Sequence, residues 1–381
     1  MRIMILQARL CYGGAERVGV ALANGFSKRG NSVTMVANLF EPQTYQLDEN
    51  IVLKNLVATN KNKLKKWLSS FLFVRKYLKE IRPDVIIGIM GTTALVARIS
   101  SLGLGIPVIM TEHWAFEMPP EHPFSVKEYF FKFYANKIYR SVTVLTEADK
   151  KVIGKKLKNV VVMPNPLTLE PANGVPKKKK VILAAGRLTA WEVKGFDVLI
   201  KAWGTIAKKY PDWTLQIAGQ GEKDDEQRLL DWAADCDVRK QFKLLGFCNN
   251  IKNLYSESEI FVLSSRYEGF GLVLIEAMSQ GCACVACDYK GRQAEILSPS
   301  GDERRKTKDE KSGIEVTENG ILCEPENVDA LAEGIEKMIC DEEYRRNAQW
   351  NAIKRSKYYS LENTMDRWES MLNKILEQKL N

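Results

Sequence analysis

Short apolar runs alternate with stretches of helical periodicity along most of this 381-residue chain, and that alternation restricts the fold more than any single motif. Strands are expected at Arg2–Leu6, Ser32–Ala37, Ile51–Leu56, Asp84–Ile89, Pro107–Met110, Val142–Leu145 and Val160–Met163. Between the first two, Val18, Ala21, Leu22, Gly25 and Phe26 recur at helical spacing, and Lys28-Arg29-Gly30 ends the helix. A break at Pro171 to Pro176 and four lysines, Lys177 to Lys180, then interrupt the pattern. It restarts with strands at Val181–Ala185, Thr214–Ala218, Phe242–Leu245, Ile260–Leu263 and Ala283–Ala286. Strand–helix–strand order calls for crossover connections, hence parallel sheets covered by helices on both faces. The chain is also too long for one ordinary core. Two α/β domains are therefore expected, joined near residue 171, with a ligand cleft between them beyond the carboxyl ends of the strands.

Composition narrows the class. No apolar run approaches the roughly 20 residues of a membrane-spanning helix. Met1-Arg2-Ile3-Met4-Ile5-Leu6 runs straight into a strand pattern without the layout of a signal peptide, so a cytoplasmic protein is expected. Of eight cysteines, Cys282, Cys284 and Cys287 fall together in a run of small residues and Val. No His or Cys pair lies near them, which favours buried thiols in a strand over a metal site. Residues 1–170 carry 24 Lys and Arg against 13 Asp and Glu, whereas 171–381 carry 32 against 34. A basic first half calls for an anionic partner on that side.

The densest chemistry lies from Ser265 to Met278, which reads S-R-Y-E-G-F-G-L-V-L-I-E-A-M. An apolar strand, Ile260 to Leu263, precedes it, and Leu272 to Ser279 is rich in helix formers. A strand, a glycine turn and a helix start together present free backbone N–H groups and the positive end of a helix dipole to an anion. Glu268 falls in the turn and Glu276 about one turn into the helix, so both are expected to face a ligand lying over the turn. The stretch resembles the E-x7-E signature of retaining glycosyltransferases of family 4, which have the GT-B fold. The resemblance implies two Rossmann-like domains with parallel sheets facing a central cleft. The first, 1–170, would bind the acceptor, and the second, 171–359, the nucleotide-sugar donor. A terminal helix from about 360 to 381, amphipathic through Leu361, Met365, Trp368, Leu372 and Ile375, would cross back onto the first. Glu268 would contact the donor sugar and Glu276 the ribose hydroxyls, with the amides of Phe270, Gly271 and Leu272 approaching sugar and phosphates. The competing reading is a surface glutamate pair flanking an ordinary strand–helix turn.

Other segments acquire meaning beside that one. Gly186-Arg187-Leu188 ends a strand, and Lys194-Gly195-Phe196-Asp197 opens a helix. An Arg and a Lys there suit a diphosphate, one as a fork and one as a point charge. They resemble the G-R-L…K-G element whose Arg and Lys stabilise the pyrophosphate, with Trp191 and Glu192 as departures inside the loop. Alone, they would read as a solvated loop tip. Tyr12-Gly13-Gly14-Ala15-Glu16-Arg17 joins the first strand to the first helix, where glycines permit close approach of a ligand. It resembles the family's glycine loop along the donor phosphates, with Glu16 and Arg17 taken as helix-start residues. His113, in Thr111-Glu112-His113-Trp114, stands where the family places a histidine near the donor sugar; a packing role is the alternative. Asn165, in Met163-Pro164-Asn165-Pro166-Leu167, occupies the family's P-N-G position with Pro166 replacing Gly; a hinge entry is the alternative, and His122, in the Pro-rich segment Met118 to Pro123, is expected on an acceptor-side loop with no role attached. Gly219 and Gly221 resemble the G-x-G on the base side, and Gly246-Phe247 the element near the nucleobase. Asp235-Cys236-Asp237 is formally a D-x-D but closes a helix, so it is read as ordinary solvent-facing residues.

The resemblance implies transfer of a sugar from a nucleotide diphosphate, of which UDP is the commonest, with anomeric retention and no metal or other cofactor. Arg187 and Lys194 would meet the charge growing on the leaving phosphate, and no side chain would act as a covalent nucleophile. The acceptor expected is a saccharide or lipid-linked saccharide of a capsule, O-antigen or related surface glycan, with no nucleic-acid partner. Lys63, Lys65, Lys66, Arg75, Lys76 and Lys79 accompany Leu64, Trp67, Leu68, Phe71 and Leu72 at helical spacing. That pattern suits an anionic membrane surface, with the apolar stripe mostly packed in the core and the lysines outward. The segment 298–318 is expected to be a mobile polar loop. A nucleotide-sugar epimerase of the same architecture and a non-catalytic sugar-nucleotide-binding partner of an assembly complex remain the alternatives. A phosphorylase would call for a pyridoxal lysine motif, which is not evident.

Overall fold

The computed structural model describes residues 1–11, 13–57, 63–119, 123–298, 306–309 and 313–380. Tyr12, His122 and much of the polar segment 298–318 lie outside them. The chain divides into two compact units, Met1–Pro166 with Leu361–Asn381, and Leu167–Ser360.

The first unit is built on strands β1 (Arg2–Leu6), β2 (Ser32–Ala37), β3 (Val52–Asn55), β4 (Val85–Ile89), β5 (Val108–Thr111), β6 (Ser141–Val144) and β7 (Val160–Val162). They form one sheet in the order β3-β2-β1-β4-β5-β6-β7, and every pairing is parallel. Its helices are α1 (Gly14–Lys28), α2 (Lys63–Ile81), α3 (Met90–Ser100), α4 (Val126–Phe133) and α5 (Glu147–Ile153). Because side chains alternate along a strand, Met4 and Leu6 of β1 enter a core shared with Val74 and Leu78 of α2, Ala97 of α3, Phe133 of α4 and Ile153 of α5. Ile3 and Ile5 are buried on the opposite face, where α1 runs. The terminal helix, Leu361–Leu380, packs there too: Phe26 meets Trp368 edge to face at 6.3 Å, and Arg29 bonds Asp366 at 2.7 Å and Glu369 at 2.9 Å.

The apolar stripe of α2 differs from the expectation. Trp67, Leu68 and Leu72 are exposed, and the inward row is Phe71, Val74 and Leu78. The reason is geometric: Leu72 stands about 100° around the helix from Phe71, off the row at i, i+3 and i+7 that reaches the sheet.

The second unit contains β8 (Lys179–Ala185), β9 (Thr214–Ala218), β10 (Phe242–Gly246), β11 (Ser258–Leu263), β12 (Ala283–Cys287), β13 (Lys306–Asp309), β14 (Ile314–Val316) and β15 (Gly320–Cys323). Between them lie α6 (Trp191–Lys194), α7 (Phe196–Ile206), α8 (Lys223–Asp235), α9 (Ile251–Glu257), α10 (Leu272–Ser279) and α11 (Ala294–Leu297), with α12 (Val328–Cys340) and α13 (Glu342–Ser356) following β15. The sheet order is β10-β9-β8-β11-β12-β15-β14-β13. It is parallel as far as β15, after which β14 and β13 add antiparallel strands. That corrects the expectation for 298–318: the described part of this polar segment pairs as sheet. Its strands are four and three residues long, too short for their period to stand out in a polar stretch, although Ile314 is buried. Cys282, Cys284 and Cys287 are buried free thiols, and burial pushes Cys282 up to about 11 and Cys287 up to about 12.

The strand order reverses between β1 and β4 in the first sheet and, within the parallel part of the second, between β8 and β11. Connections leave such a point in opposite directions and open a crevice at the carboxyl ends of the two strands. Gly13 and Gly14 follow β1, Arg187 follows β8 and Glu268 follows β11, while His113 follows β5 and Gly219 and Gly221 follow β9.

Candidate active site

In the second unit, β8 runs into Gly186-Arg187 and β11 into the turn bearing Glu268, so strands adjacent across the reversal bring the two turns together. Lys194, the last residue of α6, donates from Nζ to Glu268 Oε1 at 2.5 Å. Ser265 Oγ donates to the same oxygen at 3.0 Å. Both charged side chains are partly buried, which raises the strength of the pair above that of a surface bridge. Gly195 makes this placement possible. It is left-handed at φ +62°, and a Cβ there would stand 2.0 Å from the carbonyl oxygen of Ser264. Ser264 in turn donates from Oγ to the Lys194 carbonyl at 2.8 Å.

A third charged residue fixes the geometry. Arg266 forks onto both carboxylate oxygens of Asp197 at 2.7 Å each, and its backbone N–H donates to Val193 O at 2.9 Å. Asp197 is in the first turn of α7, so Arg266 staples the Lys194 loop to the Glu268 turn. The hydrogen bonds to Asp197 raise the Arg266 pKa above its ordinary value. Burial pushes the Asp197 carboxyl up, but the bonds and charge of Arg266 overcome it and leave its pKa lowered. Sequence reasoning missed this pair; an Arg beside the glutamate was visible, but nothing local ties it to a residue 69 positions away.

Gly271 caps α10 in the left-handed region at φ +93°, and Leu272 is the first helical residue. The early amides of α10 have no intrahelical acceptor, so the turn from Phe270 to Leu272 is suited to an anion. Phe270 is buried against Tyr359, with ring centroids 5.5 Å apart. Glu276 differs from its expected exposure. It is 1% exposed, and its Oε2 accepts from the Tyr255 hydroxyl at 3.2 Å, so it lies beneath the turn while Glu268 is at its surface. The surroundings of the helix decide this: α10 is buried on every face from Leu274 to Ser279.

The Arg187 side chain is exposed and makes no hydrogen bond or ion pair among the described residues, while its neighbours are fixed. Gly186 N donates to Ala218 O and Leu188 N to Gln220 O, both at 2.9 Å. Gly219 N donates to Gly246 O at 2.9 Å, so the turns after β8, β9 and β10 are laced together. Gly219 and Gly221 thus border the Arg187 turn, and exposed Phe247 extends the row. Asp235-Cys236-Asp237 ends α8 away from these turns, with Asp237 paired to Lys208 at 2.9 Å. Among the described residues no three His, Cys, Asp or Glu side chains gather as a metal site.

In the first unit, Gly13 caps α1 and Gly14 begins it; the Tyr45 hydroxyl donates to Gly13 O at 3.2 Å, a contact not anticipated. Glu16 lies in the first turn of α1 and pairs with Arg9 at 3.3 Å. His113 follows β5. Its Nδ1 is 3.1 Å from Asn165 Oδ1 and its Nε2 is 3.0 Å from Thr111 Oγ1. With the amide oxygen of Asn165 facing Nδ1, the consistent network has Nδ1–H donating to Asn165 and the Thr111 hydroxyl donating to Nε2. Desolvation lowers the His113 pKa from 6.5 to about 4, so the ring is neutral at pH 7. Buried Glu112 accepts from the backbone N–H groups of His113 and Trp114 at 3.1 Å each and lies 3.5 Å from Lys132 of α4. Lys132 also donates to Ala115 O at 2.8 Å, so α4 braces the loop that carries His113.

The second unit thus carries a turn lined by a Lys–Glu pair, a capped helix start and an exposed Arg, on an α/β sheet like that of the first unit. The chain belongs to the glycosyltransferases: the profile described as Glycosyl transferases group 1 matches residues 168–355, and that of Glycosyltransferase Family 4 matches residues 12–170. An uncharacterized glycosyltransferase of Haemophilus influenzae is 32% identical over 94% of this chain and 96% of its own length. The GalNAc-alpha-(1->4)-GalNAc-alpha-(1->3)-diNAcBac-PP-undecaprenol alpha-1,4-N-acetyl-D-galactosaminyltransferase of Campylobacter jejuni is 24% identical over 98% of this chain and 99% of its own. Among solved structures, Anabaena HepE in complex with UDP and glucose superposes with a TM-score of 0.75, at 20% identity, over 98% of this chain and 100% of that one. The fold is GT-B.

Proposed function

We propose that this glycosyltransferase moves a sugar from a UDP-sugar, with retention of anomeric configuration, onto a saccharide or lipid-linked saccharide of a surface glycan. The observation that carries the reading is the Lys194–Glu268 pair beside the capped start of α10. It sets a cation for phosphate and an acceptor for sugar hydroxyls side by side. The Campylobacter relative, named for an undecaprenyl diphosphate acceptor, and HepE, crystallised with UDP, support acceptor and donor class respectively.

In this mechanism the bond between the anomeric carbon and the β-phosphate oxygen breaks, and the developing charge is met by Arg187, Lys194 and the amides around Gly271. The acceptor hydroxyl attacks on the same face and gives its proton to a departing phosphate oxygen. Glu268, already oriented by Lys194 and Ser265, accepts from the sugar hydroxyls. Glu276, set by Tyr255, is the ribose partner, and Gly219 and Gly221 border the base side. Both ring nitrogens of His113 are engaged, which leaves its backbone carbonyl for the sugar. The two cationic side chains and the helix start take the place of a divalent ion. The first unit is assigned the acceptor and an anionic membrane surface, and the second the donor.

Thermal unfolding in chelator with UDP, GDP, ADP and their sugar conjugates tests the reading. A rise in midpoint with UDP compounds alone is expected, because ligand bound only to the native state stabilises it. No rise with any nucleotide would overturn it, and a rise with GDP or ADP would reassign the donor.

A further inference from the structure

The turn after β12 is built around one buried amide. Gln293 is wholly buried, and burying a primary amide costs free energy unless its donor and acceptor are both used. Both are used here. Gln293 Oε1 accepts from Tyr289 N at 2.8 Å, and Nε2 donates to Phe270 O at 3.4 Å. The two partners fix which end of the amide is which, because Tyr289 N–H can only donate and Phe270 O can only accept. Gln293 N and Ala294 N both donate to Asp288 Oδ1 at 3.0 Å, which holds the backbone of the turn. Strand β12 pairs with β11, so this turn lies beside the one bearing Glu268, and the Tyr289 and Tyr267 ring centroids are 6.1 Å apart.

The bond to Phe270 O sets the direction of a neighbouring donor. A trans peptide is planar, with its C=O and N–H pointing opposite ways. Phe270 O is directed onto Gln293, so the N–H of Gly271 is directed away from Gln293 and the β12 turn. A Cβ on Gly271 would stand 4.0 Å from Gln293 Nε2, which places the amide against both residues of that peptide. Gly271 is buried, yet its N–H has no acceptor among the described residues. A buried backbone donor left unpaired is costly and is ordinarily completed by a partner.

We infer that Gln293 is a positioning residue for the donor: it locks the Phe270–Gly271 peptide with the Gly271 N–H aimed at the β-phosphate. The inference rests on the donor site proposed above and adds to it a residue that touches no substrate. What Gln293 supplies is preorganisation. Gly271, at φ +93°, has a backbone that no Cβ restrains, and without a fixed carbonyl its peptide can rotate and turn the N–H inward. Held by Gln293, the N–H is in place before charge develops on the leaving phosphate. A packing role alone would be met by an apolar side chain of similar volume, with no amide to desolvate.

Calorimetric titration of the full chain with UDP and with UMP tests this, since only UDP carries a β-phosphate. Wild type should bind UDP the more tightly. Gln293→Met, close in volume, removes both bonds. Gln293→Asn keeps a primary amide but is one methylene too short to span Tyr289 N and Phe270 O. Each variant should weaken UDP by about threefold to tenfold, the worth of a neutral hydrogen bond, and leave UMP within about twofold of wild type. Retained UMP binding shows that the variant is folded. UDP binding unchanged in a folded variant overturns the inference, and so does an equal loss for UDP and UMP, which marks a merely structural role. Wild type that binds UMP as tightly as UDP also overturns it, because the turn then does not hold the β-phosphate. Wild type that binds neither nucleotide removes the donor reading itself, and the inference with it.

Discussion

Single side chains decide the chemistry, and Lys194 is the most exacting of them. Its Nζ is already 2.5 Å from Glu268, so removing it deprives the leaving phosphate of a cation and leaves a partly buried carboxylate unpaired. Lys194→Ala should lower kcat/KM by about tenfold to a hundredfold, the worth of a charge-assisted contact of roughly 1.5–3 kcal/mol. Steady-state transfer from UDP-sugar checks it, and unchanged turnover removes Lys194 from the mechanism. His113 gives a second prediction. The chain has two histidines, so side-chain NMR resolves the titration. One should titrate near pH 4 in the folded protein against an ordinary 6.5. Between those values the unfolded chain binds the extra proton, so the stability contributed by neutral His113 is present above pH 6.5 and is lost as pH falls toward 4, by at most about 1.4 kcal/mol per pH unit. Asn165→Asp puts a carboxylate on Nδ1, 3.1 Å away, and should raise that pKa and remove part of the loss. The sequence offered His113, Lys194 and Glu268 as candidates by residue type and place. It did not offer Asn165 as the partner of His113, because the two are 52 positions apart and neither carries a local mark of the other.

At the scale of elements, glycines and helix faces were legible to different degrees. The K-G step before α7 reads as a helix start, but only the structure shows that a side chain at Gly195 would strike Ser264 O at 2.0 Å. Gly195→Ala should therefore cost at least about 2 kcal/mol by chemical denaturation. Gly30→Ala is the control, left-handed at φ +77° with nothing within 4 Å; it should cost about 1 kcal/mol from backbone strain alone. The terminal helix was legible as an amphipathic repeat, and its apolar row of Met365, Trp368, Leu372 and Ile375 is buried. Trp368→Ala should destabilise the protein by about 3–5 kcal/mol, the usual cost of emptying a large core site, read as a lowered denaturation midpoint. The stripe on α2 was legible as apolar but not as exposed, since period alone does not say how wide a sector of a helix the sheet will cover. Strands β13 and β14 were illegible because they are four and three residues long, too short a window for a period of two to be read.

For the whole molecule, the measurable consequence is linkage. UDP at about a hundred times its dissociation constant should stabilise the native state by about 2.7 kcal/mol, in chelator as in its absence, and Glu276→Gln should shift the required concentration upward. Calorimetry with and without chelator checks both; stabilisation that needs a divalent ion would overturn the metal-free mechanism. The sequence by itself determined the succession of strands β1 to β12, two units each with a parallel sheet at its heart, and the glutamate-bearing turn. These are written in short windows, where periodicity, glycine placement and helix-forming residues act on neighbours a few positions away. Tertiary structure alone decided that Lys194 meets Glu268 across 74 residues and that Arg266 holds Asp197. It also decided that Glu276 is buried under the turn and that Trp67, Leu68 and Leu72 of α2 are exposed. Those outcomes depend on which strands become neighbours at the reversal between β8 and β11, and on which side of each helix the sheet occupies. Long-range pairing of that kind is fixed by the packing of the complete sheet, and no local stretch of chain contains it.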